Sequence, residues 1–327
     1  MGIKNLNRFL YENCTKKSIK KFHLSQLTGK TIVVDTSIYL YKYSSDDSLM
    51  ENMYLLISIL KHHNIQPVFV FDGKPPPEKR ELLQQRRTEK KEAEDKYTKL
   101  KEELKEGSET AEKIRSEMDK LKRMFIKISD ESIRKVKGLM DAYGVTHCDA
   151  PGEADHLCAF LVKNGIAWGC ISDDMDMFLY GCDFVIRNIS LLKHTAILYD
   201  TGQIWKDLEM TEQIFREIMV ISGTDYNIHS KTSLKETIRW YYEYVKYQNK
   251  NKEKPLGFYV WLVKNTKYVE DYKQLLNTYK MFLCNNCHEF ESWRGLKIDV
   301  KPIDYCRLKE VMEPEGFVFC HNNITKM

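Results

Sequence analysis

Long apolar runs are missing from this 327-residue chain. Nothing in it approaches the roughly 20 residues that carry a helix across a bilayer. The opening M-G-I-K-N-L lacks the apolar segment of a secretory signal, and Leu6 stands where a myristoylation signal needs Ser or Thr. A soluble intracellular protein that avoids membranes is therefore expected. Charge of one sign is also scarce, because 51 Lys and Arg face 47 Asp and Glu for a net charge of +4. That balance excludes a uniformly basic surface and shifts attention to distribution. Residues 78–137 hold 19 basic and 15 acidic side chains, so the whole excess lies there and the rest of the chain is balanced. Nine cysteines, an odd number, sit mainly in apolar contexts such as Cys158 and Cys170. They read as reduced thiols of a core, not as a disulfide framework.

What the chain does contain is concentrated between Asp149 and Asp176, in D-A-P-G-E-A-D-H-L-C-A-F-L-V-K-N-G-I-A-W-G-C-I-S-D-D-M-D. Glu153 and Asp155 precede a helix-like run from Leu157 to Lys163. Asn164-Gly165 turns the chain, Ile166 to Ser172 reads as a buried strand, and Asp173, Asp174 and Asp176 follow. Carboxylates gathered on one αβ unit raise one another's pKa unless cations neutralise them. Oxygen donors without histidine point to Mg²⁺ or Mn²⁺ rather than zinc. Just past a strand, residues two apart face the same way, so Asp174 and Asp176 are expected on one side of a sheet's end. Glu153 and Asp155 would diverge by about 200° on a regular helix. The Pro151-Gly152 turn must therefore place at least one of them at or before the helix start.

Two earlier strands are predicted at Thr31 to Val34 and Pro67 to Phe71, with an amphipathic helix from Met50 to His62 between them. The first is followed by Asp35 and the second by Asp72-Gly73. In an open parallel sheet ligands bind at the carboxyl ends of the strands, which brings Asp35, Asp72, Asp174 and Asp176 to one rim. A single such Asp would be a cap or turn residue, but three strand ends repeating it argue for a metal site.

After Lys74-Pro75-Pro76-Pro77 the chain becomes charged. Ala93, Tyr97, Leu100 and Leu104 keep heptad-like spacing, Gly107-Ser108 interrupts it, and Ile114, Met118, Leu121, Phe125 and Ile128 resume it. This pattern predicts an αα-hairpin. By composition it suits a solvent-exposed arm for a partner as well as a catalytic role. Its position, leaving the sheet after Asp72 and returning before Glu153, favours the second. Lys79, Arg80, Arg86 and Arg87 occupy its root, within reach of anything held at the carboxylates.

Six ordered motifs, M-G-I-K-N-L, V-V-D-T-S-I-Y, V-F-V-F-D-G-K-P-P-P, A-P-G-E-A-D, S-D-D-M-D and S-G-T-D-Y, resemble those of the flap endonuclease (XPG-type structure-specific nuclease) family. The resemblance is strong from Met1 to about Tyr226. It implies an α/β fold with a PIN-like, mostly parallel central sheet, a helical arch insertion and a helical C-terminal DNA-binding region. The implied divisions are 1–77 and 138–226 for the two parts of a nuclease domain, 78–137 for the arch, and 227–327 for a diverged helix-turn-helix and tail. It also implies two Mg²⁺ ions, replaceable by Mn²⁺, on Asp35, Asp72, Glu153, Asp155, Asp174, Asp176 and Asp225. Asp155 is shorter than the glutamate usual there, which implies a longer or water-filled bridge. Two such ions activate water and stabilise the leaving oxygen, so no nucleophilic side chain is required. By the same resemblance Lys79 and Arg86 contact the scissile phosphate, Gly2 lies close to it, Tyr41 stacks on a base, and Arg80 and Arg87 guide the strand.

Beyond Asp225 the resemblance weakens. The family continues with a glycine-rich turn that grips duplex phosphates and K⁺, whereas N-I-H-S-K-T-S-L-K-E-T-I has no glycine. Close phosphate approach by backbone is hard without it, so K⁺ is not expected, and Lys231 and Lys235 are left as point-charge contacts. Arg239 to Gln248 is aromatic and basic, and is expected to pack its rings on the core. Cys284, Cys287, His288, Cys306, Cys320 and His321 offer zinc donors, but their spacing is irregular and ordinary thiols are expected. No basic tail or sliding-clamp peptide is evident. The trimmed tail and altered duplex clamp resemble the diverged copies of large DNA viruses. The expected protein is a monomeric, Mg²⁺-dependent nuclease that cuts branched or flapped DNA at junctions of single strand and duplex. It would serve replication, repair or recombination in a nucleus or a viral replication compartment. A 5′ exonuclease on RNA and a silent DNA-junction scaffold are the alternatives, and the full set of seven acidic positions argues against the scaffold.

Overall fold

The structure, a computed structural model, describes residues 3–105, 111–227, 231–251, 256–283, 287–298 and 301–319. Seven strands form one sheet: β1 (Ile19–His23), β2 (Thr31–Asp35), β3 (Gln66–Phe71), β4 (Thr146–Asp149), β5 (Gly169–Ile171), β6 (Phe184–Ser190) and β7 (Thr195–Asp200). Their order is β1-β7-β6-β5-β2-β3-β4. The five strands from β6 to β4 run parallel, and β7 and β1 extend the sheet antiparallel. β2 is the middle of the five parallel strands, with Ile32, Val33 and Val34 all fully buried. Parallel strands covered on both faces read as continuous apolar runs for this reason.

The two faces carry separate cores. Val33, Val68, Val70 and Cys170 join the layer that contains the helices Leu6–Asn13, Ala154–Lys163 and Glu212–Ile221. Ile32, Val34, Phe69 and Phe71 join the layer of helices Thr36–Ser45, Leu49–His62, Asp130–Ala142 and Tyr305–Met312. Alternation along each strand thus feeds both layers, and each fully buried Val, Leu or Ile contributes about 1.5–3 kcal/mol. Asp304 N–H donates to Ala142 O at 2.8 Å, and Leu308 and Met312 are buried, so the chain near its end returns to the second layer.

The predicted strand from Ile166 to Ser172 is shorter than expected. The amides of Ile166 and Ala167 donate to Leu161 O at the end of the preceding helix, at 3.0 and 3.1 Å, and are unavailable to the sheet. Strands β1, β4, β6 and β7 were not anticipated. The predicted hairpin is present as helices Arg80–Lys105 and Ala111–Met124. Ala93, Met118 and Leu121 are buried in its seam, and Tyr97 meets Phe125 edge to face at 5.4 Å. Its interrupting Gly107-Ser108 lies outside the described residues. The chain returns from it through helix Asp130–Ala142 and edge strand β4 before reaching Glu153.

Candidate active site

The carboxyl ends of β2, β3 and β5 share one rim, as parallel pairing requires. Asp35 is the last residue of β2 and only 6% exposed. Its Oδ2 accepts the Ser172 hydroxyl at 2.9 Å, which ties the β2 and β5 ends together. Asp72 follows β3, and its Oδ1 accepts the Ala154 amide at 2.8 Å, at the start of helix Ala154–Lys163. Carboxylates are favoured at such a terminus because its first amides have no partner within the helix. Gly73 makes this approach possible. Its N–H donates to Gly152 O at 2.7 Å, and a Cβ on it would lie 2.0 Å from Ala150 O.

Glu153 is the residue before that helix and Asp155 lies in its first turn, so the Pro151-Gly152 turn does start the helix between them. Asp174 and Asp176 reach the site by another route than strand alternation. The Asp174 amide donates to Ser172 Oγ, the Asp176 amide donates to Asp174 Oδ1 at 3.1 Å, and Asp176 opens a short 3-10 turn. The chain has left extended geometry there, and side-chain-to-backbone bonds replace the sheet's periodicity.

Electrostatic coupling joins all seven carboxylates. Burial, then Asp72 and Asp174, push Asp35 up to about 8. Burial, then Glu153, raise Asp155 well above the usual carboxylate range, with Asp174 and Asp35 adding to this and Lys79 opposing it. Asp176 is raised by burial, then by Asp174 and Asp225. Each shift has the physical sign of a crowded negative site in low dielectric.

Two basic side chains from the hairpin root enter this ring. Lys79, 7% exposed, places Nζ 2.6 Å from Glu153 Oε1 and 4.8 Å from the centre of the Tyr226 ring. Burial alone would lower the Lys79 pKa, but Asp155, Glu153 and Asp225 outweigh it and raise it. Arg86 pairs with Asp225 Oδ2 at 2.8 Å. Tyr226 was missed in the sequence, although it adjoins Asp225. Its hydroxyl donates to Glu153 Oε2 at 2.6 Å.

Asp176 Oδ1 is buried without a hydrogen-bond partner. Such an orphan is costly. Among the described residues, no three of these carboxylates bring oxygens within 4.8 Å of one another, so the ring is open. An oxygen-only donor set, an orphaned buried oxygen and negative charge crowded enough to raise Asp35, Asp155 and Asp176 fit hard divalent cations. All seven residues could serve as donors.

The remaining predicted residues are more peripheral. Tyr41, on the helix that follows Asp35, is 45% exposed, with Lys90 Nζ 5.1 Å from its ring centre. Arg80 and Arg87 are exposed on the first hairpin helix. Lys231 and Lys235 are exposed, and Lys231 Nζ lies 3.6 Å from Glu270. Gly2 lies outside the described residues, as do 228–230 of the glycine-free loop. Tyr241 and Tyr244 of the aromatic helix are buried, as expected, whereas Tyr242 is 57% exposed. Cys158 and Cys170 are buried free thiols and Cys306 is exposed. The other cysteine and histidine zinc donors lie outside the residues whose side chains are described.

Comparison with known proteins places these features in context. The XPG N-terminal domain matches residues 1–93 and the XPG I-region matches 144–225. Flap endonuclease 1 of Glycine max is 30% identical over 245 residues, 69% of this chain and 62% of that protein. Flap endonuclease 1 of Meyerozyma guilliermondii is 29% identical over 69% of this chain and 63% of its own length. The chain thus spans less than two thirds of the relatives it matches. Among solved structures, the catalytic core of Rad2 in complex with DNA substrate superposes with a TM-score of 0.65 at 22% identity, covering 94% of this chain and 95% of that one. Flap endonuclease-1 from Methanococcus jannaschii gives 0.60 at 19% identity, covering 91% and 90%.

Proposed function

Since the chain belongs to the XPG-type flap endonuclease family, we propose that it is a divalent-metal-dependent nuclease that cuts DNA at 5′ flaps and other junctions of single strand and duplex. The observation that carries this reading is one open ring of seven electrostatically coupled carboxylates, with Lys79 and Arg86 paired into it and Asp176 Oδ1 left without a partner. Asp35, Asp72, Glu153, Asp155, Asp174, Asp176 and Asp225 would hold two Mg²⁺, or Mn²⁺ in their place. Bound there, such ions supply an activated water and charge stabilisation at the phosphate and leaving oxygen.

The chain's own groups do the positioning. Lys79 and Arg86 neutralise Glu153 and Asp225 in the free protein. When substrate arrives they turn from these carboxylates to the non-bridging phosphate oxygens, where their charge counts most as negative charge develops. Tyr226 holds Glu153 by its hydroxyl while that happens. The hairpin serves as an arch for the single strand, Tyr41 stacks on a base, and Arg80 and Arg87 guide the backbone. Gly2 lies near the scissile phosphate, and Lys231 and Lys235 contact the duplex as point charges. K⁺ has no part in that duplex contact.

Labelled flap, nick, gap and single-strand DNA, with a 5′-monophosphate RNA alongside, incubated in Mg²⁺ and separately in Ca²⁺, provide the test. Cleavage of the flap at the junction, in Mg²⁺ and not in Ca²⁺, is expected. Preference for the RNA end would overturn the DNA assignment.

A further inference from the structure

Three histidines distant in sequence, His23, His63 and His194, each bring one ring nitrogen within 4.8 Å of the others. Among the described residues they are the one group of three or more metal donors drawn together so closely. Nε2 of His63 and Nδ1 of His194 are 3.0 Å apart. Zinc bound to imidazole at about 2.0–2.1 Å in a tetrahedron sets its nitrogens about 3.3 Å apart, so a small separation of this pair would admit the ion. A hydrogen bond between two imidazoles explains that contact but does not involve the His23 ring. The His23 ring lies edge to face with that of His63, their centres 5.1 Å apart.

The backbone holds all three in place. His23 ends β1, His63 follows helix Leu49–His62, and His194 sits in the β6–β7 turn with φ of 48°. The segment after β1 links the other two, with Leu24 N–H donating to His194 O at 2.8 Å and Thr28 Oγ1 donating to His63 O at 3.0 Å. His23 Nδ1 accepts the Ser25 N–H at 3.3 Å and lies 2.9 Å from Ser25 Oγ, which fixes the orientation of the ring. Partial burial and the surrounding rings of His62, His194 and His23 lower the His63 pKa, which favours the neutral ring that metals require.

We propose that His23, His63 and His194 form a second metal site, separate from the carboxylate ring, for a borderline transition ion of the zinc class with water completing its shell. A nitrogen-only donor set selects Zn²⁺, Ni²⁺ or Cu²⁺ and discriminates against Mg²⁺. The ion would staple the end of β1 and the β6–β7 turn to the end of helix Leu49–His62.

The test is calorimetric titration of the metal-stripped full chain with Zn²⁺ in excess Mg²⁺. Cys284, Cys287, Cys306 and Cys320 are replaced by Ser so that thiols do not compete. One equivalent is expected to bind with micromolar affinity, and at a hundredfold excess over Kd to raise Tm by about 4 °C. Both effects should be lost in His63→Ala/His194→Ala, whose far-UV dichroism should match the parent, and kept in Asp176→Ala. Co²⁺ should give visible absorption that depends on the same histidines. Zinc affinity undiminished in the double variant, or no zinc-dependent rise in Tm in the parent, would overturn the proposal.

Discussion

Replacing Lys79 by Met keeps most of the volume of the side chain that lies over Tyr226 and removes its charge. Lys79 is 7% exposed and paired with Glu153 at 2.6 Å, inside a ring that also contains Asp155 and Asp225. Removing one partner of a buried pair costs about 3–5 kcal/mol, because the remaining charge is left uncompensated. At about 2.1 cal/mol/K of unfolding entropy per residue, a chain of this length should lose roughly 4–7 °C in Tm. That loss belongs to the metal-free state. Under the proposed metal binding, saturating Mg²⁺ would give the carboxylates a new counter-charge, so Lys79→Met should gain more from Mg²⁺ than the parent does, and the two melting curves should converge. The deficit should also shrink on acidification, since burial and neighbouring carboxylates raise Asp155 and Asp176 above the usual carboxylate range, and protons taken up there neutralise the site. Differential scanning fluorimetry in EDTA and in Mg²⁺, at pH 5.5 and 8, measures all of this. Equal Tm values for the two proteins in EDTA would refute the claim that Lys79 acts as the built-in cation of the site. So would a deficit that Mg²⁺ leaves intact.

Asp176→Ala should abolish flap cleavage while leaving flap-DNA binding within a few-fold, since phosphate contacts elsewhere supply most of the affinity; wild-type turnover in single-turnover assays would remove Asp176 from the site. Asp35 binds a proton in the folded protein up to about pH 8, whereas its ordinary value is 3.8, so folded protein holds more protons than unfolded between these limits. Metal-free stability should therefore fall as pH rises through that window, by about 1.4 kcal/mol per unit from this group, and Asp35→Asn should flatten the slope of Tm against pH. An unchanged slope would mean that Asp35 does not carry the penalty. Flap DNA should bind equally well in K⁺ and Na⁺ at matched ionic strength, and a several-fold K⁺ preference in a titration would show that a glycine-free loop can still build the ion site.

Much of the site was legible in the chain because its signals are local. β2 and β3 announce themselves as apolar runs, and the Asp at each end needs only the rule that parallel strands share a rim. The glycine after Asp72 and the Pro-Gly turn before Glu153 mark where the backbone must approach or turn tightly. These depend on the preferences of a few adjacent residues, which sequence records directly. Tertiary structure decided the rest. Ile166 and Ala167 look like strand, yet their amides close onto the preceding helix, and only the packed structure chooses between those partners. The antiparallel additions β7 and β1 pair residues 172 to 180 positions apart in sequence, from His23 with Thr195 to Ile19 with Tyr199. Lys79 reads as one lysine among nineteen basic residues, and only folding buries it against Glu153. His23, His63 and His194 carry no motif at all. Their meeting depends on which turns the fold sets side by side, and no period or spacing in a linear chain encodes the distance between groups so far apart along it.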